Sequence, residues 1–357
     1  MNNDIRKITL EDLGYNDFFR SPGIEGRSPA RVTAAHKEAY ILRTGTAEYF
    51  AKITGKMMFT ASGSEDYPVV GDWVMVSFED KGLAVIHDIL PRKTVLKRKS
   101  AGNSGVQIIA SNIDTAYIVE SIDRDYSLNR FERYITIADS GGIRLVLILN
   151  KTDLVTGHEL ESKLSEVNNR FEDLPVLATS TVSENGITGL KNSIKKGMTY
   201  CFLGSSGVGK TSLINSLMGK DILKTSEINI YTQRGKHTTS HRELFILETG
   251  GLVIDNPGMR EIGLVDSEDG IGSVFDDISA LSDTCRFSDC NHTHETGCAV
   301  LKAVGSGELD KAKYENYMRL VKENEFNSMS KLEKRQKDRN FGKFCKKVMK
   351  YKKKHKY

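Results

Sequence analysis

The stretch GSSGVGKTS, residues 204–212, restricts the possible folds of this chain more than any other. An apolar run, MTYCFLG, leads into it, and a segment of helical periodicity, KTSLINSLMG, follows. Gly204, Ser205, Ser206, Gly207, Val208, Gly209, Lys210 and Thr211 fit GxxxxGK[ST], with Ser212 next in line. The strand–loop–helix context is the one in which this spacing cradles phosphate. Glycines let backbone N–H groups turn inward around a β-phosphate with no Cβ in the way. Lys210 is placed to reach the β- and γ-phosphates, and the Thr211 hydroxyl to ligate Mg²⁺. A plain Gly-rich helix cap is the bland alternative, disfavoured by a strand and a helix in register. The motif therefore predicts a parallel α/β sheet.

The surrounding sequence supports that prediction. From residue 98 to residue 275, strand-like runs (IDTAYIVES, RLVLILN, LPVLATS, ELFILET, GLVIDNPG) alternate with helical ones (LNRFERYITIADSGG, HELESKLSEVNNRFE, NGITGLKNSIKK). Such alternation implies a mostly parallel sheet covered by helices. At the carboxyl end of RLVLILN stands Asn150-Lys151-Thr152-Asp153, where open α/β sheets bind ligands. Asp153 would accept from guanine N1–H and the N2 amine, a donor pair that adenine lacks. Asn150 would meet the base near N7 and O6, and the Lys151 stem would lie along the ring. Ser180 and Thr181 are candidates for a second base contact through their backbone. Asp255-Asn256-Pro257-Gly258 forms DxxG. Asp255 would hold Mg²⁺ through water, and the Gly258 N–H would touch the γ-phosphate. Between it and the phosphate loop, residues 233–244 form a polar, Gly-containing loop, with Thr238 or Thr239 the expected Mg²⁺ and γ-phosphate ligand.

The order is unusual. A Ras-like chain runs phosphate loop, Thr loop, DxxG, base reader, second base contact. Here the base reader comes first, and the two lists are one cycle cut at different points. Close-lying domain termini make such a permutation physically tolerable. Whatever follows DxxG is then attached directly to the second switch.

The flanks carry their own signals. Residues 1–97 read as a poorly ordered lead-in with one short helix near LEDLGYNDFF and then four or five short antiparallel strands, fitting a small closed barrel of the OB type, with an SH3-like barrel second. RKSAGNSGVQ reads as an exposed connector. Residues 276–357 hold Cys285, Cys290, His292 and Cys298, a Cys₃His set for tetrahedral structural Zn²⁺, with His294 a weaker competitor. The net charge of +4 is unevenly distributed. Residues 331–357 carry thirteen Lys/Arg against two Asp/Glu, and the remainder 38 against 45. A Lys-rich end is either a solvated tail or a phosphate-backbone contact. The N-terminal residues lack an apolar signal-peptide core, and no run approaches a membrane span. A cytoplasmic monomer with no membrane partner is the expectation.

Together, VGDWV, RKSAG, QIIASNID, NRFERY, NKTDL, GSSGVGKTSLIN, GKHTTSHREL, DNPGMREIGL and CRFSDCNHTHETGCAV resemble the circularly permuted family called ribosome small subunit-dependent GTPase A. The resemblance covers nearly the whole chain. It implies an OB barrel (1–97), a permuted GTPase domain (98–275) and a zinc domain (276–357). It also implies GTP hydrolysis stimulated by the small ribosomal subunit during late assembly, with rRNA as a contact. Asn256 stands where the family usually has Thr, and HETGC replaces HEPGC. Met259 occupies the place of a water-orienting Gln. A thioether cannot orient water, so Lys210, Thr239 and Gly258 should need outside help, with His237 a candidate by position. Alternatives are a GTP-gated RNA-binding module without a ribosomal role, or an ATPase with a coincidental NKTD.

Overall fold

The computed structural model describes residues 8–20, 26–36, 39–45, 47–79, 82–99, 106–123, 126–219, 242–255 and 267–354. The chain divides into two compact units, one of residues 1–97 and 108–262, the other of 98–107 and 263–357.

In the first unit, residues 8–20 are packed rather than loose, with helical turns where a short helix is expected near LEDLGYNDFF. Two short 3-10 turns, Glu11–Leu13 and Asp17–Phe19, bury Leu13 and Phe19. The Tyr15 ring meets Trp73 edge-on at 4.8 Å. Apolar side chains every few residues thus give this segment a reason to pack. Five strands then form the barrel: β1 (Ser28–Ala35), β2 (Tyr40–Arg43), β3 (Glu48–Ile53), β4 (Trp73–Glu79) and β5 (Leu83–Ile89), with helix α1 (Gly55–Thr60) between β3 and β4. Their order is β1-β2-β3-β5-β4, and β4 returns to β1. This is the OB-type barrel expected, with β3 and β5 pairing in parallel where antiparallel strands throughout are expected. The α1 crossover allows that pairing, whereas a tight hairpin would force antiparallel neighbours. Alternating residues such as Val32, Leu42, Ala51, Val74 and Ile86 fill the interior.

β6 (Val95–Lys99) and β7 (Val106–Ser111) pair as a separate two-stranded sheet, so both ends of the expected connector are strand. Next come β8 (Thr115–Ser121), α2 (Leu128–Asp139), β9 (Arg144–Asn150), α3 (Gly157–Arg170), β10 (Val176–Thr179), α4 (Thr188–Ser193), β11 (Thr199–Leu203), α5 (Lys210–Met218), β12 (Arg242–Ile246) and β13 (Leu252–Asp255). The sheet order is β10-β9-β8-β11-β13-β12, parallel except for β12. All seven residues of β8 are buried, as a central strand covered on both faces requires. The α3 start is fixed by a reciprocal box: Glu159 N–H donates to Thr156 Oγ1, and Thr156 N–H to Glu159 Oε2.

β12 also pairs antiparallel with β1 of the barrel, Ala34 opposite Glu243. Barrel and α/β layer are therefore one continuous eleven-stranded sheet. That pairing covers an edge that would otherwise offer unpaired backbone groups. The junction is pinned by Arg31, which is 1% exposed. Its guanidinium donates to the carbonyls of Leu13, Gly71 (3.2 Å) and Asn112 (3.0 Å) and lies over the Trp73 ring. Burial lowers its pKa to about 10, opposed by Asp114 and Asp72. The VGDWV motif finds its reason here. Gly71 has φ +93°, and a Cβ would stand 2.1 Å from the Ser111 carbonyl. Buried Asp72 accepts from Arg92 at 2.8 Å and from the Ser111 hydroxyl.

The second unit contains α6 (Glu268–Val274), α7 (Asp276–Ser282), α8 (Ala299–Ser306), α9 (Lys311–Ser328) and α10 (Lys331–Lys354). Phe275, Ile278, Val300 and Leu320 are its buried centre. The basic terminus, read as a tail, is helical through Lys354. Ser330 and Glu333 cap its start reciprocally. Lys, Arg, Met and Gln are good helix formers, which outweighs their mutual repulsion here. No helix among the described residues is long and apolar enough to cross a membrane.

Candidate nucleotide site and metal cluster

The parallel strands deliver the expected nucleotide residues to one edge, because each motif follows the carboxyl end of a strand: Asn150 ends β9, Ser180 follows β10, Gly204 follows β11 and Asp255 ends β13. The loop from 204 to 209 is shaped by its glycines. Gly204, Gly207 and Gly209 have φ of +147°, +85° and +98°. A Cβ on Gly204 would lie 2.2 Å from the Val119 carbonyl, and one on Gly209 would lie 2.2 Å from Asn150 Nδ2. Val208 turns its side chain into the core, 2% exposed, whereas Ser206 and Gly207 are exposed. Lys210 Nζ donates to the carbonyls of Gly204 (2.6 Å) and Ser205 (2.5 Å). Thr211 and Ser212 open α5, and both are partly exposed. The α5 N-terminus directs free N–H groups and the positive end of its dipole into the loop.

The segment from Asn150 to Asp153 is tied to this loop. Asn150 Nδ2 donates to the Val208 carbonyl at 2.8 Å, and Asn150 Oδ1 accepts from the Thr179 hydroxyl at 2.9 Å. The Ser180 hydroxyl donates to Asp153 Oδ1 at 2.5 Å, and the Thr152 hydroxyl to the Thr179 carbonyl at 3.2 Å. Ser180 is buried and Thr181 exposed. Lys151 has left-handed backbone, φ +63°, and its Nζ lies 2.8 Å from Asp123 Oδ2. Residues 58 positions apart in sequence thus form one network. Thr238, Thr239, His237 and Gly258, together with Asn256 and Met259, lie outside the described residues.

Four contributors escaped the sequence reading. Thr152 and Thr179 flank the assigned residues and carry no pattern of their own. Tyr134, within NRFERY, hydrogen-bonds the Ser205 side chain, and burial raises its pKa. Asp123 needs the β8–β9 register to be seen at all.

In the second unit, the ligand atoms of Cys285, Cys290, His292 and Cys298 lie within 4.8 Å of one another. The Cys285 and Cys298 sulfurs are 3.9 Å apart, and His292 Nδ1 is 3.4 Å from Cys298 Sγ. Tetrahedral Zn–S bonds of about 2.3 Å place sulfurs about 3.8 Å apart. The donor set and spacing therefore fit a four-coordinate metal. His292 Nε2 faces the Ser282 hydroxyl at 3.0 Å, which leaves Nδ1 for the cluster. Ala299 and Leu301 N–H groups at the start of α8 point at Cys285 and Cys298 sulfur, each 3.4 Å away. Glu295 accepts from the amides of His294, Thr293 and Asn291, which pulls its pKa down to about 2 against the opposing effect of desolvation. It knots the loop around the ligands. His294 is exposed beside Thr293, and the group of four forms without it.

Comparison with known proteins places the chain in a family. The model of the RsgA GTPase family matches residues 89–265. The chain is 39% identical to small ribosomal subunit biogenesis GTPase RsgA 1 of Bacteroides thetaiotaomicron, over 99% of both chains. It is 40% identical to RsgA 2 of Listeria monocytogenes, over 88% of this chain and 89% of that one. Among solved structures, YjeQ from Thermotoga maritima is 27% identical, with TM-score 0.60 over 82% of this chain and 97% of that one. YloQ, described as a circularly permuted GTPase, shares the fold at 22% identity, with TM-score 0.60 over 85% and 97%. The sheet order, the permuted motifs and near-full-length similarity lead to one conclusion: the chain belongs to the RsgA GTPase family.

Proposed function

We propose that this protein hydrolyses GTP to GDP and phosphate as a maturation factor of the small ribosomal subunit, which stimulates the reaction. The observation that carries this reading is the bond from Asn150 Nδ2 to the Val208 carbonyl, because it joins a guanine reader to a phosphate loop. In this reading Asp153 accepts from the guanine N1–H and N2 amine, and Asn150 and Lys151 flank the ring. Ser180 orients Asp153 and, with Thr181, offers backbone to the base. The amides from Gly204 to Ser212 cradle the phosphates, and Lys210 moves its ammonium from loop carbonyls onto the β- and γ-oxygens. Thr211, Asp255 and Thr238 or Thr239 would hold Mg²⁺, which neutralises charge on the transferred phosphoryl group. Gly258 reports the γ-phosphate through its N–H. His237 is the proposed helper for the attacking water, since Met259 cannot orient one.

Three modules share the work: the lead-in and barrel (1–97), the permuted GTPase domain (98–275) and the metal domain with its basic end (276–357). The metal of Cys285, Cys290, His292 and Cys298 is proposed to be one structural Zn²⁺, since four protein ligands leave no open position. rRNA is the proposed contact of the barrel and of α10. Phe50, 65% exposed, stands beside exposed Leu83 on neighbouring strands, a surface suited to base stacking. α10 supplies phosphate affinity. The protein is proposed to act in the cytoplasm as a monomer away from membranes.

Turnover of GTP and of ATP, each with and without purified small subunits, tests the reading. GTP turnover should rise with subunits, and ATP turnover should stay at background. Subunits should also bind better with a non-hydrolysable GTP analogue than with GDP. Equal binding in both states, or no stimulation, would reduce the protein to a GTP-gated RNA-binding module. Intact stimulated turnover in His237→Ala would remove that residue's catalytic role.

A further inference from the structure

We infer that Asp123 is a positioning residue for guanine recognition, its carboxylate anchoring the Lys151 ammonium so that the lysine stem is held along the base plane. The inference rests on the reading of residues 150–153 as the base-contacting segment. β8 and β9 run parallel with Ser121 opposite Asn150. The Ile122 N–H donates to the Asn150 carbonyl at 3.0 Å, so the chain leaving β8 is fastened across the chain leaving β9. Asp123 is the next residue, and its Oδ2 lies 2.8 Å from Lys151 Nζ. The three base readers are thus held from two sides. Asn150 and Asp153 are oriented by Thr179, Val208 and Ser180. Lys151 takes its anchor from the junction between β8 and α2.

A free lysine stem samples many rotamers and loses them when it lies on a base. An ammonium already anchored has lost part of that freedom, so less remains to be lost on binding. Both side chains are about one-third exposed, 33% for Lys151 and 29% for Asp123, which limits the pair through solvent screening. The effect on affinity should therefore be about threefold to fivefold.

The test is a fluorescence titration of the full chain with a labelled GDP. Asp123→Ala should raise Kd by about threefold to fivefold, and Lys151→Ala by at least as much. The double variant should bind no more weakly than Lys151→Ala alone, since both changes remove one interaction. Asp123→Glu should recover most of the affinity. If Asp123→Ala binds GDP as well as or better than the unmodified protein, the inference is overturned. A loss that adds in full to that of Lys151→Ala, and that Asp123→Glu does not restore, marks a merely structural role and overturns it too. GDP affinity that survives both Lys151→Ala and Asp153→Asn overturns the base-reading assignment itself. Loss in those two variants with none in Asp123→Ala overturns only the role given to Asp123.

Discussion

The nucleotide site and the Cys/His cluster use the same kinds of parts in opposite ways. In the first, groups from three strand ends are tied to one another by side-chain hydrogen bonds: Asn150 to Val208, Ser180 to Asp153, and Lys210 to its own loop. The first two of these bonds join residues far apart in sequence, and they hold an open edge of the sheet suited to an exchangeable nucleotide. In the second, all four ligands come from fourteen consecutive residues and point at one another. Backbone amides of α8 and the knot around Glu295 close that loop from outside. An exchangeable ligand calls for a polar edge on a rigid sheet. A resident metal calls for converging donors, and can itself be part of what folds the segment.

That contrast can be broken experimentally. The largest effect is expected from Cys298→Ser. Structural zinc contributes on the order of 10 kcal/mol in small metal-folded domains. The variant should lose stoichiometric zinc and amide protection over α7 and α8, measured by metal analysis and hydrogen exchange. Retained protection without metal would show that this unit folds on its apolar core alone.

Lys210→Ala should lower subunit-stimulated GTP turnover by about 10²–10³-fold, the usual loss for one electrostatic transition-state contact. Its melting temperature should hardly change, because Lys210 is partly exposed and its ammonium donates to carbonyls of its own loop. A large drop in melting temperature would mean that the phosphate loop, like the metal loop, is part of what keeps its unit folded.

Asp153→Asn should weaken GTP by about 100-fold, since the amide faces two guanine donors with one acceptor and a misplaced donor. Xanthosine triphosphate should gain in return, which competition binding would reveal. Equal losses for both nucleotides would mean that Asp153 holds the loop rather than reads the base.

The smallest effect is expected from Ser282→Ala. It removes the partner of His292 Nε2, and zinc affinity should fall by about tenfold in a chelator competition. No change would place the orientation of His292 with Tyr314, whose hydroxyl donates to the His292 carbonyl at 2.6 Å.

The elements legible in sequence were those whose geometry is local. RLVLILN is β9 to the residue, and LNRFERYITIAD is α2, stopping before Gly141 and Gly142 as glycines dictate. Near LEDLGYNDFF the helical turns are legible but their packing is not, because Leu13, Tyr15 and Phe19 are too widely spaced to show a period, yet Leu13 and Phe19 are buried and the Tyr15 and Phe19 rings meet Trp73. The helical state of residues 331–354 was hidden by their charge, which resembles that of a solvated tail.

By itself the sequence marked out the groups proposed to meet guanine, phosphate and metal. Each motif is a short run whose spacing sets backbone geometry, and the strand before it sets where the run emerges. It also determined the cut in the cycle, because motif order is a property of the chain alone. Only the tertiary structure decided that β12 joins β1 into one sheet, that Arg31 holds the junction, and that Asp123 stands against Lys151. Those contacts depend on strand register and on which backbone carbonyls are left inside. No local pattern encodes either, because the energy of a non-local pair resides in neither partner's neighbourhood until the sheet has brought them together.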